Sequence, residues 1–266
     1  MHPAQPIGIF DSGIGGLTIA KAIHDQLPQE SIIYFGDTAH LPYGDKSGDA
    51  IRYFSLRIVK FLLDQNCKMI VVACNTASAA AYHVLLEFFK GRALFVNVVD
   101  PLVEATAQKN FSKVGVIATK ATISTGTYEQ QLKRAKPELR VHSLATPLLV
   151  PMIEEGFIRN EISQKVIDSY LSDPGFADIE ALLLACTHYP LIKAEIQQYF
   201  KHEVAVMDST DVVTVAVERS LQGNGLLNVS PQQNHRFYVS DYTSSFEATT
   251  RFFYGEGVHL EHCPIW

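Results

Sequence analysis

Cysteine is scarce in this sequence: four in 266 residues, at positions 67, 74, 186 and 263, with no CxxC spacing. That excludes a disulfide scaffold, and a chain of this length can build its own core. Free thiols in a reducing compartment are expected. Positive charge is short as well. Lys and Arg total 22 against 28 Asp and Glu, giving a net charge of −6 and a pI near 5.9. A nucleic-acid partner, which needs a basic face, is therefore not expected. A small anionic substrate stays open, because a few backbone N–H groups at helix starts can hold a carboxylate. No apolar run approaches the length of a membrane span, so no membrane partner is expected. The N-terminus lacks the cationic start and apolar core of a secretory signal, and the cytoplasm is the expected location. Neither a Walker loop nor GxGxxG is present, so neither a nucleotide nor a dinucleotide cofactor is implied.

What is present is ordinary core material, 47% hydrophobic and 19% charged, enough for one large domain or two modest ones. Hydrophobic periodicity predicts strands at 7–10, 31–35, 69–73, 94–99, 113–118, 139–145, 181–185, 204–207, 236–240 and 258–263. Helices are predicted at 17–26, 49–66, 77–89, 148–155, 161–171, 190–200, 210–221 and 243–254, with a further one running from 119–122 to about 135. Asp100-Pro101 reads as another helix start, a carboxylate cap followed by proline. Segment 222–233, rich in Gly, Asn, Ser and Gln, reads as a linker. Strands alternating with helices predict an α/β fold with mainly parallel sheets.

Two stretches organise the chain. Val71-Val72-Ala73-Cys74-Asn75-Thr76-Ala77-Ser78 and Leu182-Leu183-Leu184-Ala185-Cys186-Thr187-His188-Tyr189-Pro190 each read as a buried strand ending in a thiol, then a helix start. Gly8-Ile9-Phe10-Asp11-Ser12 is similarly echoed by Gly115-Val116-Ile117-Ala118-Thr119. The two echoes are offset by 112 and 107 residues, so a pseudo-symmetric protein of two like halves is expected. In parallel α/β sheets, ligands bind beyond the carboxyl ends of strands. Asp11, Asp37, Cys74, Thr119 and Cys186 all fall at such ends.

A lone cysteine at a strand end is usually a small buried hydrophobe. Here each thiol is followed by hydrogen-bonding residues at a helix start, which favours thiolate over thiol. Two thiols meeting from opposite halves suit inversion of a tetrahedral carbon. One removes a proton while the other delivers a proton to the opposite face. Asp11-Ser12-Gly13-Ile14-Gly15-Gly16 reads either as a helix cap with glycine turns or as a loop in which Asp11 assists a thiol or receives an ammonium group. His188 is either a helix-start histidine satisfied by backbone or a proton partner for Cys186. Cys186, His188, His262 and Cys263 do not form a recognised zinc spacing, so no metal is expected. Cys67 and Cys263 read as structural.

These residues resemble the glutamate racemase family, within the aspartate/glutamate racemase superfamily. The resemblance rests on Asp11-Ser12-Gly-x-Gly-Gly, Pro42-Tyr43-Gly44, Ala73-Cys74-Asn75-Thr76-Ala77, Thr119-x-x-Thr122 and Ala185-Cys186-Thr187-His188-Tyr189-Pro190, in the family's order and over most of the chain. It implies a cofactor-independent racemase that interconverts L- and D-glutamate and supplies D-glutamate for peptidoglycan. It also implies two α/β domains facing each other across the active site, bounded here as 1–98 and 99–207, with 208–266 returning to the first. Cys74 and Cys186 would be the two acid/base residues, Cys74 acting on D-glutamate and Cys186 on L-glutamate. Asp11 would support Cys74, and His188 would support Cys186. Ser12, Pro42, Tyr43, Gly44, Asn75, Thr76, Thr119, Thr122 and Thr187 would bind substrate with Asp11 and His188. The family's glutamate in Val-Pro-x-x-Glu falls on Glu154, beside Glu155. A homodimer is implied.

Some members carry an N-terminal extension tied to activation by a cell-wall precursor. Only six residues precede the first predicted strand here, so no such activation is expected. The rival readings are an aspartate or hydantoin racemase, a thiol hydrolase using Cys186 with His188, and a two-lobed amino-acid-binding protein without catalysis.

Overall fold

Ten strands carry the architecture: β1 (Ile7–Asp11), β2 (Ile32–Gly36), β3 (Met69–Val72), β4 (Leu94–Asn97), β5 (Lys113–Ala118), β6 (Arg140–Ala145), β7 (Ala181–Ala185), β8 (Ala205–Asp208), β9 (Arg236–Val239) and β10 (Leu260–His262). They come from a computed structural model that describes residues 1–230, 234–255 and 258–266. One sheet has the order β10-β9-β2-β1-β3-β4 and the other β6-β5-β7-β8, with parallel pairing throughout. β1, β2, β3 and β7 are buried at every position, which explains their unbroken apolar runs. A parallel sheet covered by helices on both faces has no wet side to alternate towards.

The two sheets share one topology. β2-β1-β3-β4 matches β6-β5-β7-β8 strand for strand. Gly8 and Gly115 occupy the equivalent strands β1 and β5, and Cys74 and Cys186 follow the equivalent strands β3 and β7. The echo in the sequence is therefore structural, and the fold is α/β with two pseudo-symmetric parallel lobes. Each lobe brings the carboxyl ends of its two inner strands side by side, through Phe10 opposite Val72 and Ala118 opposite Ala185. The C-terminal strands β9 and β10 extend the first sheet beyond β2.

Several expectations need correction. The helix expected through 135 is two helices, Lys120–Ser124 and Thr127–Ala135. Gly126 between them has φ +65°, a left-handed backbone that breaks helical continuity. Asp100 is not the cap of its helix. Asn97 Oδ1 accepts from the N–H of Val99 (2.7 Å) and of Asp100 (2.8 Å), so the helix opens earlier, at Val99, with Asp100 in its first turn. The helix expected at 190–200 begins as a tighter 3-10 turn, Tyr189–Ile192, before Lys193–Tyr199.

Segment 222–233 is less loose than its composition implies, although 231–233 lie outside the described residues. Its start completes the helix Thr210–Gly223. Asn228 is buried, donates its N–H to Glu30 Oε1 (2.8 Å) and gives its side-chain amide to Gln29 O (2.7 Å). Glu30 also meets Lys68 Nζ at 2.6 Å in a fully buried ion pair, and Lys68 donates to Leu226 O at 2.9 Å. Desolvation disfavours an isolated buried charge, so each charge here is satisfied by its partner and by backbone groups. The clasp ties the returning chain to the amino ends of the first sheet.

Candidate active site

Between the carboxyl ends of the two sheets lies a cavity of about 300 Å³. Its walls come from both lobes. Ser12, Pro42, Tyr43, Gly44, Cys74, Asn75 and Thr76 face it from the first lobe, and Thr119, Glu154, Cys186, Thr187 and His188 from the second. Both thiols are nearly sealed, Cys74 being 5% exposed and Cys186 7%.

Cys74 is itself the cap of the helix Asn75–Phe88, which starts two residues earlier than its hydrophobic pattern indicates. Its Sγ accepts the N–H of Ala77 at 3.4 Å and lies 3.6 Å from Ser12 Oγ. Burial, reinforced by the charge of Asp11, pushes the thiol up to about 12 despite the opposing hydrogen bonds. Burial therefore favours the neutral thiol at Cys74.

Cys186 sits in a different field. His188 Nδ1 lies 3.8 Å from its Sγ, and His188 Nε2 is 2.9 Å from Glu154 Oε1. Burial alone would push His188 down, but its bonds to Cys186 and Glu154 prevail and hold it up at about 10. With Nε2–H committed to Glu154, Nδ1 can donate to a thiolate or accept from a thiol. The edge of Phe253 closes against the imidazole at a centroid distance of 5.1 Å. Gly15 presses on the ring as well, since a Cβ there would collide with its Cε1 and Nδ1. Glu154, and not the exposed Glu155, is the carboxylate brought to His188.

Three hydroxyls bridge the lobes. Thr76 Oγ1 is 3.0 Å from Thr119 Oγ1 and 3.1 Å from Thr122 Oγ1, and the last two are 3.0 Å apart. Tyr128 OH donates to Asn75 Oδ1 at 2.6 Å, which leaves Asn75 Nδ2 buried without a partner among the described residues. Tyr43 OH donates to the buried Asp37 Oδ2 at 2.6 Å, fixing the ring that lines the cavity.

Asp11 and Thr122, expected on the binding surface, stand behind the wall. Asp11 Oδ2 accepts the N–H groups of Gly13 (3.1 Å) and Gly16 (3.0 Å), while its buried Oδ1 has no partner among the described residues. Thr122 is held by the other two threonines. Cys67 packs against Gly8 in the core, where burial pushes it up to about 12, and Cys263 follows the edge strand β10. Sequence reasoning missed Leu41, Asp45, Lys120, Thr146, Pro147, Val150 and Pro151, which also line the cavity. The strand-end rule applied to β6 reaches Thr146 and Pro147. Lys120 sits inside the Thr119-x-x-Thr122 motif at an unspecified position, so no motif singled it out.

A cleft of this kind, closed by two like lobes over paired thiols, is that of an amino-acid racemase. The chain belongs to the Asp/Glu/Hydantoin racemase family, whose model matches residues 17–217. It is 43% identical over 246 residues to the glutamate racemase of Geobacter metallireducens, covering 92% of this chain and 90% of the relative. Among solved structures it resembles the glutamate racemase of Francisella tularensis in complex with D-glutamate, with a TM-score of 0.93, 40% identity and coverage of 99% and 98%. The glutamate racemase of Thermus thermophilus in complex with β-chloro-D-alanine gives a TM-score of 0.90 at 38% identity, covering 99% and 98%. Among the described residues, no helix is long and apolar enough to cross a membrane.

Proposed function

We propose that this protein interconverts L- and D-glutamate by moving protons between the substrate α-carbon and two thiols. The observation that carries this reading is that Cys74 and Cys186, each following an equivalent strand of its lobe, open on one cavity. Cys186, beside the protonated His188, takes the α-proton of L-glutamate. Cys74 delivers its own proton to the other face. The reverse reaction exchanges the roles. A substrate ammonium on the Cys74 side of the cavity offsets the field of the Asp11 carboxylate behind the wall, which favours the neutral thiol, and so allows Cys74 to act as base.

The α-proton is weakly acidic, so the α-carboxylate must be stabilised as it gains enolate character. Fixed donors in a dry site do this without reorganising during the reaction. The threonine hydroxyls and Asn75 Nδ2 supply such donors. Ser12, Pro42, Tyr43, Gly44 and Thr187 shape the rest of the binding surface. Both proton transfers are assigned to side chains, and the reading uses no cofactor. The two catalytic units are 1–98 and 99–207, with 208–266 returning to the first. The enzyme works in the cytoplasm as a homodimer and supplies D-glutamate for peptidoglycan.

Polarimetry without added pyridoxal phosphate tests the activity. Solutions of L- or D-glutamate should both lose their rotation and converge on zero. Aspartate, one methylene shorter, should be turned over about 10- to 200-fold less efficiently. Preference for aspartate would make this an aspartate racemase, and unchanged rotation with both amino acids would refute racemisation.

A further inference from the structure

We propose that Lys120 is the capture residue for the anionic end of the substrate, and that Asp45 holds it in reserve. The inference rests on the glutamate racemase reading and identifies a residue for binding rather than for proton transfer. Among the residues around the cavity, the charged side chains are Asp45, Lys120, Glu154 and His188. His188 is committed to Glu154 and Cys186. Lys120 is then the one cation among these lining residues whose charge is not spoken for by the proton-transfer machinery.

Its position suits that role. Lys120 opens the helix Lys120–Ser124 on the second lobe, next to the hydroxyls of Thr119 and Thr122. Asp45 ends the turn Tyr43–Asp45 on the first lobe. The two rim segments nearly touch, since a Cβ on Gly44 would lie 3.1 Å from Thr119 Cβ. Lys120 Nζ lies 3.6 Å from Asp45 Oδ1, and the two side chains are 61% and 63% exposed. The lysine pairs Lys21–Asp25, Lys60–Asp64 and Lys68–Glu30 close to 2.6–2.7 Å, whereas the exposed Arg219–Glu104 pair is as long, at 3.7 Å. A solvated pair this long contributes little to holding the lobes together. The lysine is a mobile point charge on a flexible stem. It can leave Asp45 for a substrate carboxylate at small cost. Glutamate at neutral pH carries net negative charge, so Asp45 and Glu154 repel it at the mouth while Lys120 attracts it. Rim charges of this kind act on entry and on salt dependence.

A mechanical latch and a capture residue give opposite signatures. If the ion pair were a latch, Lys120→Met and Asp45→Asn would break the same bond and change KM in the same direction. A capture residue predicts opposite directions. The experiment measures kcat and KM for both enantiomers of glutamate in wild type and the two variants, at low and high ionic strength. Lys120→Met should raise KM about threefold to tenfold while leaving kcat within about twofold, and should flatten the fall of kcat/KM with salt. Asp45→Asn should lower KM by about twofold to threefold by freeing the lysine. Same-direction changes, or unchanged KM in both variants, would overturn the proposal while leaving racemisation intact. A wild-type protein that does not racemise glutamate would overturn both.

Discussion

Replacing either thiol by serine should lower racemisation by about 10²- to 10⁴-fold, the range expected for losing a positioned acid or base. A serine hydroxyl keeps the size and the hydrogen bonds but holds its proton far more tightly than a thiol. The loss must be equal in the two directions when expressed as kcat/KM. Enantiomers have the same free energy, so the equilibrium constant is one and the two values of kcat/KM are tied together. Asymmetry is allowed only in kcat and KM taken separately. Coupled polarimetric assays started from each enantiomer measure all four constants. Wild-type turnover in either Cys74→Ser or Cys186→Ser would show that one thiol suffices. Both cysteines are buried, so thermal unfolding of each variant accompanies the assay.

The second large effect is expected at Glu154 and His188. His188→Asn should cost about 10²-fold in kcat/KM, because Cys186 loses the proton-bearing partner beside it. Glu154→Gln should be milder at neutral pH and should show itself in the pH profile. His188 is held up at about 10, and the hydrogen bond it donates to Glu154 is one of the causes that oppose the downward push of burial. The protonated imidazole is present below that value and is lost as pH rises through it. Wild-type kcat for L-glutamate should therefore fall as pH passes about 10. Removing the carboxylate charge weakens the support, so in Glu154→Gln the fall should begin at lower pH. Superimposable profiles for the two proteins would show that Glu154 does not tune His188.

Much of this was legible in the sequence, for a reason visible at particular residues. β7 and β3 read correctly because a fully buried parallel strand is a continuous apolar run that ends abruptly at a polar turn. The cavity opens at those ends, so Ala73-Cys74 and Ala185-Cys186 pointed to the cavity wall and to the pseudo-symmetry together. What stayed hidden depends on particular side-chain contacts, some local and some distant in sequence. The early start of the helix after Cys74 is invisible to hydrophobic pattern because its cap is the cysteine thiol itself. Asp11 reads as a binding residue because it ends a strand, yet one of its oxygens is turned into the glycine loop. Glu154 and Glu155 are neighbours of one type, and only the approach of His188 from 34 residues away separates them. Lys120 and Asp45 lie in different lobes, 75 positions apart, and meet only when the lobes face each other.

In the proposed mechanism, two thiols work on opposite faces of one carbon. The most direct measurement is the partition of deuterium between substrate and product when L-glutamate is racemised in heavy water and stopped at low conversion. If Cys186 removes the proton and Cys74 delivers another from a solvent-equilibrated thiol, the D-glutamate formed should carry deuterium at the α-carbon while the remaining L-glutamate keeps protium. D-glutamate that retains the original protium, or deuterium entering the L-glutamate pool as fast as D-glutamate forms, would contradict the account.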